Sequence, residues 1–85
     1  MLSNLLLARR IELGLSQEMI ARKVGVRGST VSKWETNKIK GKVPIPTIHK
    51  MSIAYDLSKL EIIKALPERQ REILLKLLNS SKNSR

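Results

Sequence analysis

The sequence predicts an all-α fold, a compact domain of five short helices followed by a C-terminal helix, and three observations lead there. Helix punctuation recurs along the chain, with Ser3, Ser16 and Ser58 suited to N-caps and Gly14, Gly25 and Asn37 suited to stops. Apolar residues recur at spacings of three and four, the period of a helix with one buried stripe. No stretch longer than five residues alternates as a strand between hairpin turns.

Taken in order, Ser3 caps a first helix that runs to Leu13 and stops at Gly14. Ser16 caps a second, Gln17 to Val24, stopped by Gly25. The third runs from about Gly28 to Thr36, because Asn37 is one of the few residues besides glycine that tolerates the left-handed conformation after a helix. Residues 38–46, KIKGKVPIP, carry one Gly and two Pro and read as a basic loop. Ile45, Ile48, Met51 and Tyr55 mark the buried stripe of a fourth helix, about Ile45 to Tyr55. Ser58 and Glu61 form the S-x-x-E capping box that opens a fifth, through Leu66. Pro67 suits the first turn of a sixth, Glu68 to Leu78. The division expected is a domain over 1–66, a C-terminal helix over 67–79 and a flexible tail over 80–85, which has no apolar residue.

The totals narrow the function classes. At 85 residues the chain makes one domain, burying roughly 60 to 65% of the surface its unfolded form exposes, so self-association would add useful stability. Trp34 and Tyr55 are the only aromatics, which leaves a core of Leu, Ile, Val and Met. With no Cys and a single His, His49, neither a thiolate nucleophile nor a Cys or His metal site can be assembled, no cofactor is implied, and a reducing cytoplasmic setting is expected. The seven carboxylates show no paired arrangement, so the chain is not expected to be an enzyme. The longest apolar run, Leu5 to Ala8, is far short of the roughly 20 residues of a membrane span. The net charge of +10 is concentrated: residues 22–42 hold Arg22, Lys23, Arg27, Lys33, Lys38, Lys40 and Lys42 against one acid, Glu35. Such a patch attracts polyanions, and its clustering around a turn favours nucleic acid over a lipid surface.

Residues 17–36 read as two helices crossing at a tight turn. Ala21 supplies the small residue at the crossing and Gly25 the positive φ of the turn. Ile20, Val24, Val26, Val31 and Trp34 supply the inner face, and the window holds no Pro. With "GLSQEMIARKVGV" and "STVSKWE" so arranged, the chain resembles the helix-turn-helix proteins of the Cro and cI repressor type, the XRE family, from about Leu5 through Ser58.

That resemblance implies a lambda-repressor-like fold whose third helix enters the major groove while the second crosses the phosphate backbone. Gln17 matches the family glutamine that bonds a phosphate, the alternative being a plain polar residue after the Ser16 cap. Arg27, Gly28, Ser29 and Lys33 match base-reading positions, with Thr30 and Ser32 as phosphate or sugar contacts. Gly28 departs from the family, which often has a long polar side chain there, so the operator sequence does not transfer. Arg10 and Glu35 match a buried ion pair of architectural role. Lys38, Lys40 and Lys42 match a loop lying along the backbone beside the groove.

The C-terminal stretch carries Ile62, Ile63, Leu66, Ile73, Leu74, Leu77 and Leu78, more apolar surface than a helix lying on a small domain needs. Relatives commonly dimerise beyond the fourth helix, so a homodimer is expected, the alternative being that the last helix folds back on its own domain. The function implied is a regulator of transcription, a repressor that binds a pseudo-palindromic operator in double-stranded DNA. The rival is an antitoxin or a restriction-modification controller with autoregulatory DNA binding, the antitoxin also binding a toxin protein.

Overall fold

The computed structural model describes residues 2–39 and 42–83, with side chains described through Leu77. Among these the chain forms six helices and no strand: α1 (Leu2–Leu13), α2 (Gln17–Val24), α3 (Gly28–Glu35), α4 (Ile45–Tyr55), α5 (Lys59–Lys64) and α6 (Glu68–Asn83). α3 lies against α2 and α1, α4 lies against α2, α1 and α5, and α6 leans on α5.

Local chemistry accounts for most boundaries. The Ser16 hydroxyl accepts from the Met19 N–H at 3.1 Å, and Gly25 leaves α2 with φ +69°. Asn37 takes φ +58° after α3, and the Lys38 N–H closes back on the Lys33 carbonyl at 3.1 Å, the six-to-one bond of a Schellman ending. The Ser58–Glu61 box opens α5 with both reciprocal bonds present. Asp56 is the second non-glycine residue at positive φ, +51°, and ends α4.

Four expectations are corrected. Ser3 lies inside α1 and is buried, because Leu2 and Leu6, one turn apart, draw the first turn onto the core. Ile45 occupies the first position of α4, beyond the end of the core, and is 62% exposed; the buried stripe is Ile48, Met51, Ala54 and Tyr55. α5 ends at Lys64 rather than Leu66, since Pro67 disfavours helical backbone at the residue before it, and Ala65 and Leu66 close with shorter turns onto Ile62 and Ile63. The backbone of α6 continues through Asn83, beyond the Leu78 end that the apolar pattern predicts; once a helix is nucleated, each further polar residue adds one backbone bond at little cost.

The core is aliphatic around two rings. Leu6, Ile20, Val31, Met51, Tyr55 and Ile62 are fully enclosed, and Trp34 packs with its ring centroid 6.4 Å from that of Tyr55. Within this apolar centre sits one charge. Glu35, the last residue of α3, has 1% of its side chain exposed and accepts the Arg10 Nε–H at 2.8 and 2.9 Å, the Tyr55 hydroxyl at 2.7 Å and the Gln17 amide at 3.2 Å. Arg10 also donates from Nη1 to the Leu15 carbonyl at 3.0 Å. Helices α1, α2 and α4 thus converge on the end of α3.

Burial alone would raise the Glu35 carboxyl, but the bonds from Arg10, Tyr55 and Gln17 outweigh it and hold it below the usual range. Hydrogen bonding to Glu35 holds the Arg10 guanidinium charged, and burial together with donation to Glu35 pushes the Tyr55 phenol up.

A carboxyl whose folded-state pKa is depressed stabilises fully above its unfolded value, about 4.3, and loses that contribution as the pH falls through the folded-state value. The thermal midpoint of the native chain should therefore drop as the pH is lowered past about 4.3, and Glu35→Gln should flatten that dependence. Arg10→Met, which strands the buried carboxylate, should cost about 3 to 5 kcal/mol at pH 7, measured by urea unfolding.

Candidate nucleic-acid interface

α3 has one committed face and one open face. Val31, Trp34 and Glu35 are buried, whereas Ser29 and Lys33, one turn apart, are exposed together, with Gly28, Thr30 and Ser32 at the half-buried margins. Arg27 is exposed at the N-cap position, so Arg27, Ser29 and Lys33 are all open to solvent at and beyond the N-terminus of the helix.

That N-terminus is built against the usual rules. Helices α2 and α5 carry serine caps whose hydroxyls accept a backbone N–H. α3 has Arg27 in the same place with extended backbone, no side-chain cap bond and no acid in the first turn. A cation beside the positive end of a helix, with backbone donors left uncapped, is unfavourable within the protein and favourable toward an external anion. Gly28 adds to this. Its backbone is not at positive φ, and a Cβ built on it would meet nothing within 4 Å. The fold does not require glycine there, and the bare backbone leaves the helix end open to close approach.

The cations in and around the helix-turn-helix divide into two groups. Arg9 donates to the Tyr55 and Asp56 carbonyls at 3.1 and 3.2 Å, and Lys23 to the Ala54 carbonyl at 3.1 Å, so both serve the C-terminus of α4. Arg22, Arg27, Lys33, Lys38 and Lys42 are exposed and have no hydrogen-bond or ion-pair partner among the described residues. Lys38 follows α3 directly and Lys42 precedes the buried Val43; Lys40 lies outside the described residues.

Gln17 is half-buried, with its side-chain amide turned inward to Glu35, which leaves one amide N–H and those first-turn backbone N–H groups of α2 that Ser16 does not bond for an outside anion. Of the apolar residues expected at a dimer surface, Ile62, Ile63 and Leu66 are core residues at 0, 6 and 3% exposure. Ile73 and Leu77 are exposed and Leu74 is half-buried, while the Leu78 side chain lies outside the described residues.

Some polar contacts escape a reading of the sequence. Spacing marks Tyr55 only as a stripe residue, although a buried phenol needs a hydrogen-bond partner and Glu35 is the one acid expected inside. Gln70 bonds both backbone groups of Val43, and its signal is a polar residue one turn from Leu66 and Leu74 on an otherwise apolar stripe. Among the described residues no group of His, Asp or Glu can hold a metal ion, and no helix is long and apolar enough to cross a membrane.

The uncapped end of α3 generates a prediction independent of any ligand. Arg27→Asp supplies the missing cap and removes the misplaced charge, and should stabilise the fold by about 1 kcal/mol, raising the thermal midpoint by roughly 4 to 8 °C. A lowered midpoint would mean that the Arg27 side chain supports the fold.

A protein-family model described as Helix-turn-helix matches residues 6–62, from within α1 into α5. No curated protein and no solved structure matches the chain significantly. The match covers most of the chain, including both crossing helices, the turn at Gly25 and the open face of α3, and the chain therefore belongs to the helix-turn-helix family.

Proposed function

We propose that the protein is a transcriptional regulator of the Cro and cI type, a repressor that binds a specific operator in double-stranded DNA. The observation that carries this reading is the α3 N-terminus, where Arg27 stands exposed in the capping position with no side-chain cap bond, an arrangement that favours an external anion. The major groove admits a helix whose N-terminal residues reach base edges. Arg27 donates bidentately to guanine, Lys33 reaches guanine or a phosphate, and Ser29 bonds either base type. Gly28 brings the backbone close, with Thr30 and Ser32 at phosphate or sugar, and the free amide N–H of Gln17 together with Lys38, Lys40 and Lys42 neutralises the flanking backbone.

The active form in this reading is a homodimer. Ile73 and Leu77 of α6, with Leu60 of α5 and Ile45 of α4, are large apolar side chains 45 to 62% exposed, and Ile45, Leu60 and Leu77 line an apolar groove together with Ile63 and Leu74. A two-fold pair joined there binds two half-sites one helical turn apart, about 34 to 36 Å. The same apolar surface suits the antitoxin reading, with a toxin protein in place of the second copy. Copurification of a stoichiometric second protein from the native host favours the toxin partner, and a homodimer that binds DNA alone favours the repressor.

Selection from random duplex DNA tests the proposal, with an inverted repeat as the expected product and no enriched motif at moderate salt as the result that defeats it. On the selected duplex, Arg27→Ala and Lys33→Ala should each lose about 1 to 3 kcal/mol of discrimination at the base they read. Joint replacement of Lys38, Lys40 and Lys42 by Ala should weaken binding to all sequences and make the salt slope shallower by about 0.9 for each phosphate that is no longer neutralised.

A further inference from the structure

α6 is tied to the basic loop after α3 by a single side chain. Gln70 Oε1 accepts the Val43 N–H at 3.0 Å, and its Nε2 donates to the Val43 carbonyl at 2.6 Å. Gln70 and Val43 are 9 and 4% exposed. The amide engages both backbone groups of one residue, as a neighbouring strand would, and so fixes the orientation of that peptide as well as its position. Loop backbone is ordinarily satisfied by solvent; here it is buried and needs a protein partner.

The position of this clamp gives it a consequence. Val43 adjoins Lys42, and the Val43 side chain lines the same small cavity as Trp34, Asn37, Ile39 and Pro67, at the foot of α3. The other side of the loop is held where the Lys38 N–H bonds the Lys33 carbonyl. The exposed, unpartnered cations Lys38 and Lys42 are therefore carried between two fixed points, one belonging to α3 and the other supplied by α6.

We propose that Gln70 is a positioning residue for polyanion binding: through Val43 it holds the loop in register with the open face of α3, so that α6 raises DNA affinity without touching DNA. This rests on the DNA-binding reading above. Backbone already fixed at Lys38 and at Val43 spares the complex part of the cost of immobilising Lys38 and Lys42.

A double-mutant cycle separates this role from a general loss of structure. Gln70→Met keeps the side-chain length and removes both bonds. On a duplex the native chain binds, it should weaken binding about 3- to 10-fold and make the salt slope shallower, with base preference unchanged. In a chain carrying Lys38→Ala and Lys42→Ala, the same replacement should change affinity less than about 2-fold, because the groups it positions are gone. Equal losses in both backgrounds, or no loss in either, would overturn the proposal. Hydrogen exchange at the Val43 amide of the native chain needs no substitution: it should slow on duplex binding, and an unchanged rate counts against the proposal. Failure of the native chain to bind any duplex overturns the DNA reading itself, and it appears in the first arm, before any variant is compared.

Discussion

The Glu35 carboxylate is the point on which the molecule is organised. It ends α3 and is almost wholly enclosed, yet it receives hydrogen bonds from Arg10 of α1, Gln17 of α2 and Tyr55 of α4. A buried ion pair adds little net stability compared with well-packed apolar groups, and removing one partner is costly. Its value here is directional. Aliphatic packing of Ile20, Val31 and Met51 tolerates small rotations of a helix, whereas oriented bonds from three helices to one carboxylate do not. The inner end of α3 is fixed against three helices, and the opposite end carries the exposed Arg27 and Ser29 with the half-buried Gly28 between them.

The same division of labour runs through the positive charge. Arg9, Arg10 and Lys23 are held by carbonyls or by Glu35 and belong to the architecture, while Arg22, Arg27, Lys33, Lys38 and Lys42 remain open on or beside the helix-turn-helix. Concentrated like charge repels itself, and Arg27 at the positive end of α3 adds to that repulsion. α4, with Pro44 at its N-cap, shares with α3 the lack of a side-chain cap and of a first-turn acid; what sets α3 apart from α2, α4 and α5 is a cation, Arg27, in the capping position.

The parts legible in the sequence are those set by nearest neighbours along the chain. The Ser16 cap, the Gly25 turn, the Asn37 ending and the Ser58–Glu61 box each depend on a few consecutive residues, and each forms where spacing puts it. The Arg10–Glu35 pair is legible only through the family resemblance, since 25 residues separate its members. Tyr55 and Gln17 in the Glu35 cluster, and Gln70 on Val43, depend on tertiary approach that no local pattern encodes. Ile62, Ile63 and Leu66 look like surplus apolar surface in the sequence, but a chain with only two aromatics needs aliphatic residues from every helix to close its core. The surface left for an outside partner is smaller, chiefly Ile73 and Leu77.

If the open face of α3 enters the major groove while the rest of the fold holds it there, the bound state has a definite signature. Amide chemical-shift mapping with intermolecular proton contacts, on titration with the selected duplex, reads it directly. Contacts from Gly28, Ser29 and Lys33 to major-groove base protons are expected, with flanking shifts at Gln17, Lys38 and Lys42 and an undisturbed core around Glu35 and Tyr55. Contacts confined to α6 or to the outer side of α1, with α3 unshifted, would contradict a groove-reading α3.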